Sequence, residues 1–160
     1  MLTNRKNLAK VSQTPGKTRL INHFKINDAW YLVDLPGYGF ARLSKVEKAK
    51  LEKLIYSYFE KRRNLEHTFL LIDSRIEPQT NDITFMTWLA LHHIDFTILF
   101  TKSDKLSKAR LAKNLHNWHH ILVEFNPNPP RIIPTSIVTH IGKEGILQTI
   151  DAFQKSTPRT

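Results

Sequence analysis

Two short, uninterrupted apolar runs, TFLLID at 68–73 and DFTILFT at 95–101, constrain the fold more than any other feature of the chain. Such runs read as strands buried on both faces, which is the pattern of parallel sheets covered by helices. Between them, residues 79–93 place Ile83, Met86, Trp88, Leu89 and Ala90 at helical spacing. After the second run comes a helix over 107–125 that ends at Asn126-Pro127, then a short strand over 131–135 and a last helix over 143–153. Strands alternating with helices predict right-handed β-α-β crossovers and a mostly parallel α/β sheet. Upstream, 20–26 and 29–35 (AWYLVDL) flank an Asn27-Asp28 turn signal and read as an antiparallel hairpin. Leu20, Asn22, Phe24 and Ile26 share one face of its first strand. A helix over 45–63 follows, with Val46, Leu51, Leu54, Ile55, Tyr58 and Phe59 as its apolar stripe. Ser44 stands at its N-cap, and Glu47 lies in capping-box position.

Composition narrows the class. At 160 residues, with 41% hydrophobic and 24% charged, the chain reads as one globular domain over 1–154 with a frayed tail at 155–160. The absence of cysteine excludes disulfides, thiolate metal sites and cysteine nucleophiles, and makes the cytoplasm the expected compartment. No run approaches the ~18 apolar residues of a membrane helix. The opening MLTNRKNLAK lacks the apolar core of a secretory signal. Twenty-four Lys and Arg against 14 acids give a net charge of +10, which favours a polyanionic partner such as RNA or phosphate.

In open α/β sheets, ligands bind beyond the carboxyl ends of the strands. Residues that follow or flank the strands are therefore the candidate site. They are Asp34-Leu35-Pro36-Gly37, Thr101-Lys102-Ser103-Asp104, Thr135-Ser136 and, before the first strand, Thr14-Pro15-Gly16-Lys17-Thr18. These four constellations are expected on one edge of one sheet. An aspartate such as Asp34 can order the shell of Mg²⁺. Gly37 can bring its bare N–H to a terminal phosphate. Asp104 can accept from the N1–H and exocyclic amine of guanine, a donor pair that adenine lacks, while the stem of Lys102 packs over the base. The Thr18 hydroxyl can complete the Mg²⁺ shell. Each string alone also suits a turn or a helix cap; their order along successive strands is what points to a site.

The strings TPGKTR-LINHF, YLVDLPGYGFA, LLIDSR and FTKSDKL resemble the EngB (YihA/YsxC) family of ribosome-biogenesis GTPases, and the resemblance runs through nearly the whole chain. DLPGYG is its most specific element. The resemblance implies a three-layer, Ras-like P-loop GTPase fold, a GTP/GDP switch with Mg²⁺, and assembly of the large ribosomal subunit, with its precursor and rRNA as partners. It further implies a monomer and a role in cell division and septation. By the same resemblance Gly16, Lys17, Thr18, Arg19 and Leu20 match switch I, with Thr18 as Mg²⁺ ligand. Asp34, Leu35, Pro36 and Gly37 match the segment that faces the γ-phosphate and Mg²⁺. Thr101, Lys102, Ser103 and Asp104 match the guanine-specificity motif, and Thr135, Ser136 and Ile137 the last base-contacting loop. Family members usually carry two serines in that loop, so Ile137 departs from the pattern.

No G-x-x-x-x-G-K-S/T occurs in the sequence. The resemblance therefore implies that the phosphate loop and the first strand precede Met1, which would be an internal methionine of a longer frame. That first strand is the central one, so AWYLVDL and TFLLID are expected to be separated. No glutamine follows Gly37, where Tyr38 stands instead, which implies slow intrinsic hydrolysis. The alternative is a basic, non-catalytic RNA- or ribosome-binding α/β module. Lys45, Lys48, Lys50, Lys53, Lys61, Arg62 and Arg63 make the helix after DLPGYG the expected RNA contact. His116 and His120 stand at i, i+4, a spacing that serves Zn²⁺ when further ligands converge.

Overall fold

A computed structural model of the chain describes residues 2, 20–38, 43–125 and 128–156. They fall in two compact units, Thr3–Leu65 and Glu66–Thr160 with Met1–Leu2. In the first, β1 (Asn22–Ile26) and β2 (Trp30–Asp34) pair antiparallel, with Asn22 opposite Asp34 and Ile26 opposite Trp30. The turn needs left-handed backbone at two successive residues. Asn27 (φ 50°) and Asp28 (φ 54°) supply it, as residues that tolerate this region. Leu20 lies outside the strand and is 73% exposed, one residue-pair short of the expected start. Helix α1 (Lys45–Lys61) begins with the predicted capping box: Glu47 N–H donates to Ser44 Oγ at 3.3 Å, and Ser44 N–H to the Glu47 carboxylate at 3.1 Å. Its buried stripe is Leu51, Ile55 and Phe59.

The second unit holds a parallel sheet in the order β3 (Thr68–Asp73), β4 (Phe96–Thr101), β5 (Ile132–Pro134). Helices α2 (Thr80–Leu91), α3 (Lys108–Phe125) and α4 (Lys143–Ser156) make the crossovers and the last layer. On one face Phe100 of β4 meets Trp118 of α3 edge-on, with centroids 5.7 Å apart, and both are buried. On the other, Leu99 and Ile133 pack with Ile146 of α4, joined by Leu2, Phe69 and Ile150. This is the expected helix-sheet-helix sandwich.

One expectation is corrected. The strand β4 is buried from Phe96 to Phe100, as its apolar run predicts. The strand β3 is not buried on both faces, since Leu71 is 65% exposed. Among the described residues β3 is an edge strand, and its Leu71 lies beyond the cluster built on Leu99 and Ile133. The strands β2 and β3 lie in different sheets among the described residues, as the separation of AWYLVDL from TFLLID leads one to expect.

Candidate functional site

The end of β4 is built by hydrogen bonds to both neighbouring strands. Thr101 is opposite Asp73, accepts from Ser74 N–H at 3.0 Å, and donates its hydroxyl to Ile72 O at 3.0 Å. Lys102 then turns into left-handed backbone (φ 59°, ψ 28°), which costs an L-residue about 1–2 kcal/mol and reverses the chain at once. A 3-10 turn, Ser103–Lys105, follows. Buried Ser103 donates both its N–H (3.1 Å) and its hydroxyl (3.0 Å) to Thr135 O. Thr135 donates its own N–H to Phe100 O at 2.7 Å, so the loops after β4 and β5 are one hydrogen-bonded body.

Asp104 projects from this body with its side chain 11% exposed. Ser136 supports it. The Ser136 oxygen accepts from Val138 and Thr139 N–H, both at 3.1 Å. The Ser136 hydroxyl first, with the Lys105 ammonium 3.5 Å away, holds the Asp104 carboxyl below its ordinary value despite desolvation. The result is a fixed anionic acceptor, suited to two parallel N–H donors. Gly142 (φ 79°) closes the loop beneath. A Cβ there would run into Pro134 O and stand 2.7 Å from Thr135 Cγ2, so the close approach needs glycine. Ile137 is 79% exposed and contributes no polar side chain.

The other constellations are placed differently. Asp34 ends β2 with an exposed side chain, Pro36 is buried, and Gly37 is exposed. These belong to the first unit and follow a strand of the two-stranded sheet, whereas Thr101–Asp104 and Thr135–Ser136 follow strands of the three-stranded one. Gly16, Lys17, Thr18 and Arg19 lie outside the described residues, and Leu20 is the exposed residue just before the hairpin. Among the described residues no group of three or more His, Cys, Asp or Glu could hold a metal. Mg²⁺ commonly takes one or two protein carboxylates and completes its shell with water and phosphate oxygens, so an exposed strand-end carboxylate such as Asp34 fits that chemistry. His116 and His120 face each other with Nε2 atoms 3.0 Å apart and no third ligand among the described residues. No described helix is long and apolar enough to cross a membrane.

One cluster goes unremarked by sequence reasoning. Asp73, at the end of β3, receives Arg75 through two guanidinium bonds of 2.9 and 2.7 Å and Lys102 Nζ at 2.9 Å. Arg75 first, then Lys102, outweigh burial and hold Asp73 well below the usual carboxylate range. The signal was present in LLIDSR: the strand-end rule applied to the other strands selects Asp73 as well.

The architecture matches solved GTPases. A crystal structure described as a probable GTP-binding protein EngB superposes with TM-score 0.72 at 20% identity, over 98% of this chain and 90% of that one. Translation elongation factor SelB from Methanococcus maripaludis, solved with the GTP analogue GPPNHP, superposes with TM-score 0.65 at 18% identity, over 88% of this chain and 28% of that one. The fold is thus the α/β fold of the P-loop GTPases. Residues 1–102 match the family model described as 50S ribosome-binding GTPase. The relative in Christiangramia forsetii, named "Probable GTP-binding protein EngB", is 48% identical over 156 residues, 98% of this chain and 79% of that protein. The one of the same name in Porphyromonas gingivalis is 47% identical over 155 residues, 97% of this chain and 77% of its own length. The chain belongs to the EngB family.

Proposed function

We propose that this protein is a guanine-nucleotide switch, binding GTP and GDP with Mg²⁺, that assists assembly of the large ribosomal subunit in the cytoplasm and thereby supports division and septation. The observation that carries the nucleotide reading is the half-sheltered Asp104 carboxylate on the β4 and β5 loops that Ser103 and Thr135 fuse by hydrogen bonds. In this reading Asp104 selects guanine, and the methylene stem of Lys102 packs over the base. Asp34 and Thr18 order Mg²⁺, and the N–H of Gly37 senses the γ-phosphate. Tyr38 in place of a water-orienting glutamine leaves hydrolysis slow until a partner is bound.

Competition of GTP, ITP and XTP against a fluorescent guanine nucleotide tests the reading. Asp104→Asn replaces a double acceptor with an amide that has one acceptor and its own donors. A drop in GTP affinity of about tenfold or more, with a gain for XTP, is expected from loss of bidentate charge-assisted bonds. Unchanged GTP affinity without gain for XTP removes Asp104 from this role.

A second reading, a non-catalytic basic module on RNA or the ribosome, is favoured by the net charge of +10. Both readings place rRNA against α1, where Lys45, Lys50, Lys53, Lys61, Arg62 and Arg63 are exposed. Charge reversal at Lys48, Lys53 and Arg62 is expected to flatten the salt dependence of co-sedimentation with large-subunit particles, by roughly 0.7–0.9 log units per lost phosphate contact. Guanine-nucleotide affinity should stay unchanged. Salt-sensitive sedimentation without any guanine-nucleotide binding would select the second reading.

A further inference from the structure

We propose that Asp73, clamped by Arg75, is a positioning residue that stretches Lys102 across the carboxyl edge of the sheet, so that the lysine stem forms a shelf for a purine base. The proposal rests on the guanine-nucleotide reading of Thr101–Asp104 and assigns to that site a part contributed by β3.

Asp73 and Thr101 are register partners on parallel neighbours, and parallel strands lie about 4.8 Å apart. Lys102 follows Thr101, yet its ammonium bonds the carboxylate at the end of β3, at 2.9 Å. The four methylenes therefore span from one strand end to the next, along the edge where ligands of such sheets bind. Left-handed backbone at Lys102 sets the direction in which the side chain leaves. A lysine half exposed, at 55%, would otherwise sample many rotamers, and anchoring its end removes that freedom before a ligand arrives.

The anchor is itself held on three sides. Arg75 binds both oxygens of Asp73 and so fixes the plane of the carboxylate. Arg75 N–H also donates to Asp73 Oδ1 at 3.1 Å. Beneath the turn, buried Asn114 of α3 donates to Ser74 O at 2.8 Å, and Ser74 N–H donates to Thr101 O. An ordinary surface ion pair has two mobile partners; here one partner is rigid and only 16% exposed. Asp104, which would read the edge of the base, belongs to the β4–β5 body instead, so plane and edge are supported by different strands.

A mutant cycle on the full chain tests this, with fluorescent GDP and with IDP, whose base lacks the exocyclic amine. Asp73→Asn is expected to weaken GDP and IDP alike, by about threefold to tenfold, the range of a charge-assisted bond on a partly exposed partner. Lys102→Met should weaken binding by at least as much, and the double variant should bind no worse than Lys102→Met alone. A role confined to stabilising the fold would multiply with Lys102→Met, and that result overturns the proposal. So does a changed GDP-to-IDP ratio in Asp73→Asn, which would place the residue on the base edge. If Asp73→Asn unfolds the chain, Arg75→Gln enters the same cycle, with a loss of about twofold and the same non-additivity expected. Failure of the unaltered protein to bind any guanine nucleotide removes the underlying reading, and the shelf with it. Binding with multiplicative losses removes the shelf alone.

Discussion

The hairpin of β1 and β2 and the sheet of β3 to β5 bury their residues differently. Every residue of β1 and β2 is at least partly exposed, whereas five consecutive residues of β4 are buried. A two-stranded ribbon has one ladder and, among the described residues, no third strand; alone it is marginally stable in water. The three-stranded sheet has a helix layer on each face and a polar network at its carboxyl edge. In the proposed function, the guanine acceptor Asp104 stands on the thoroughly packed region, and the γ-phosphate sensor Asp34–Gly37 on the loosely packed one. A recognition element profits from rigidity, and a segment that must move with the γ-phosphate profits from its absence.

The contrast breaks most visibly at the two aromatic positions. Trp118→Ala removes a side chain 1% exposed against Phe100 and is expected to cost about 3–5 kcal/mol in denaturant unfolding followed by circular dichroism. Tyr31→Ala, at 56% exposure on the hairpin, should stay within about 1 kcal/mol. Comparable losses would mean that the hairpin is as well packed as the sheet. Gly142→Ala should cost about 1–3 kcal/mol, through positive φ and the clash with Pro134 and Thr135, and should weaken guanine-nucleotide binding by shifting the loop that supports Asp104.

A smaller effect concerns pH. His67 donates to or accepts from Thr97 Oγ1 at 2.9 Å and stacks on Phe153 at 4.5 Å. Burial lowers its pKa from 6.5, with Asp95 opposing. The unfolded chain then takes up a proton that the folded chain refuses. Stability from this group is complete above about pH 6.5 and declines as pH falls below it, until the folded ring also protonates. Asp73 adds a second loss below about pH 4, since its folded carboxyl is held down by Arg75 and Lys102. Thermal melts across pH 4–8 should show the first decline, and His67→Gln should abolish it. An unchanged profile in that variant assigns the decline to another group.

Periodicity and strand-end chemistry made much of this legible. The runs at 68–73 and 95–101 gave their strands directly, because β-rich apolar strings bounded by polar turns have few other solutions. Ser44 and Glu47 marked the start of α1 to the residue, because capping is a local interaction. Leu71 was misread because a continuous apolar run reports what a strand can bury, not whether a neighbour is there to bury it. The Asp73–Arg75–Lys102 cluster was missed for a related reason: its lysine lies 29 residues away from its aspartate, and only strand register brings them together.

Pro134 has a consequence for how the sheet ends. Arg131 O accepts from Ile98 N–H, and Thr135 N–H donates to Phe100 O. Odd-numbered residues of β5 therefore face β4, and Ile132 and Pro134 turn their backbone outward. At Pro134 that outward position carries no hydrogen to give. Among the described residues β5 is an edge strand, and a stray strand approaching it meets a ladder with a missing rung, which disfavours extension of the sheet there. One imino ring thus guards a rim of the molecule against fibrous self-association, beside the loop that carries Ser136.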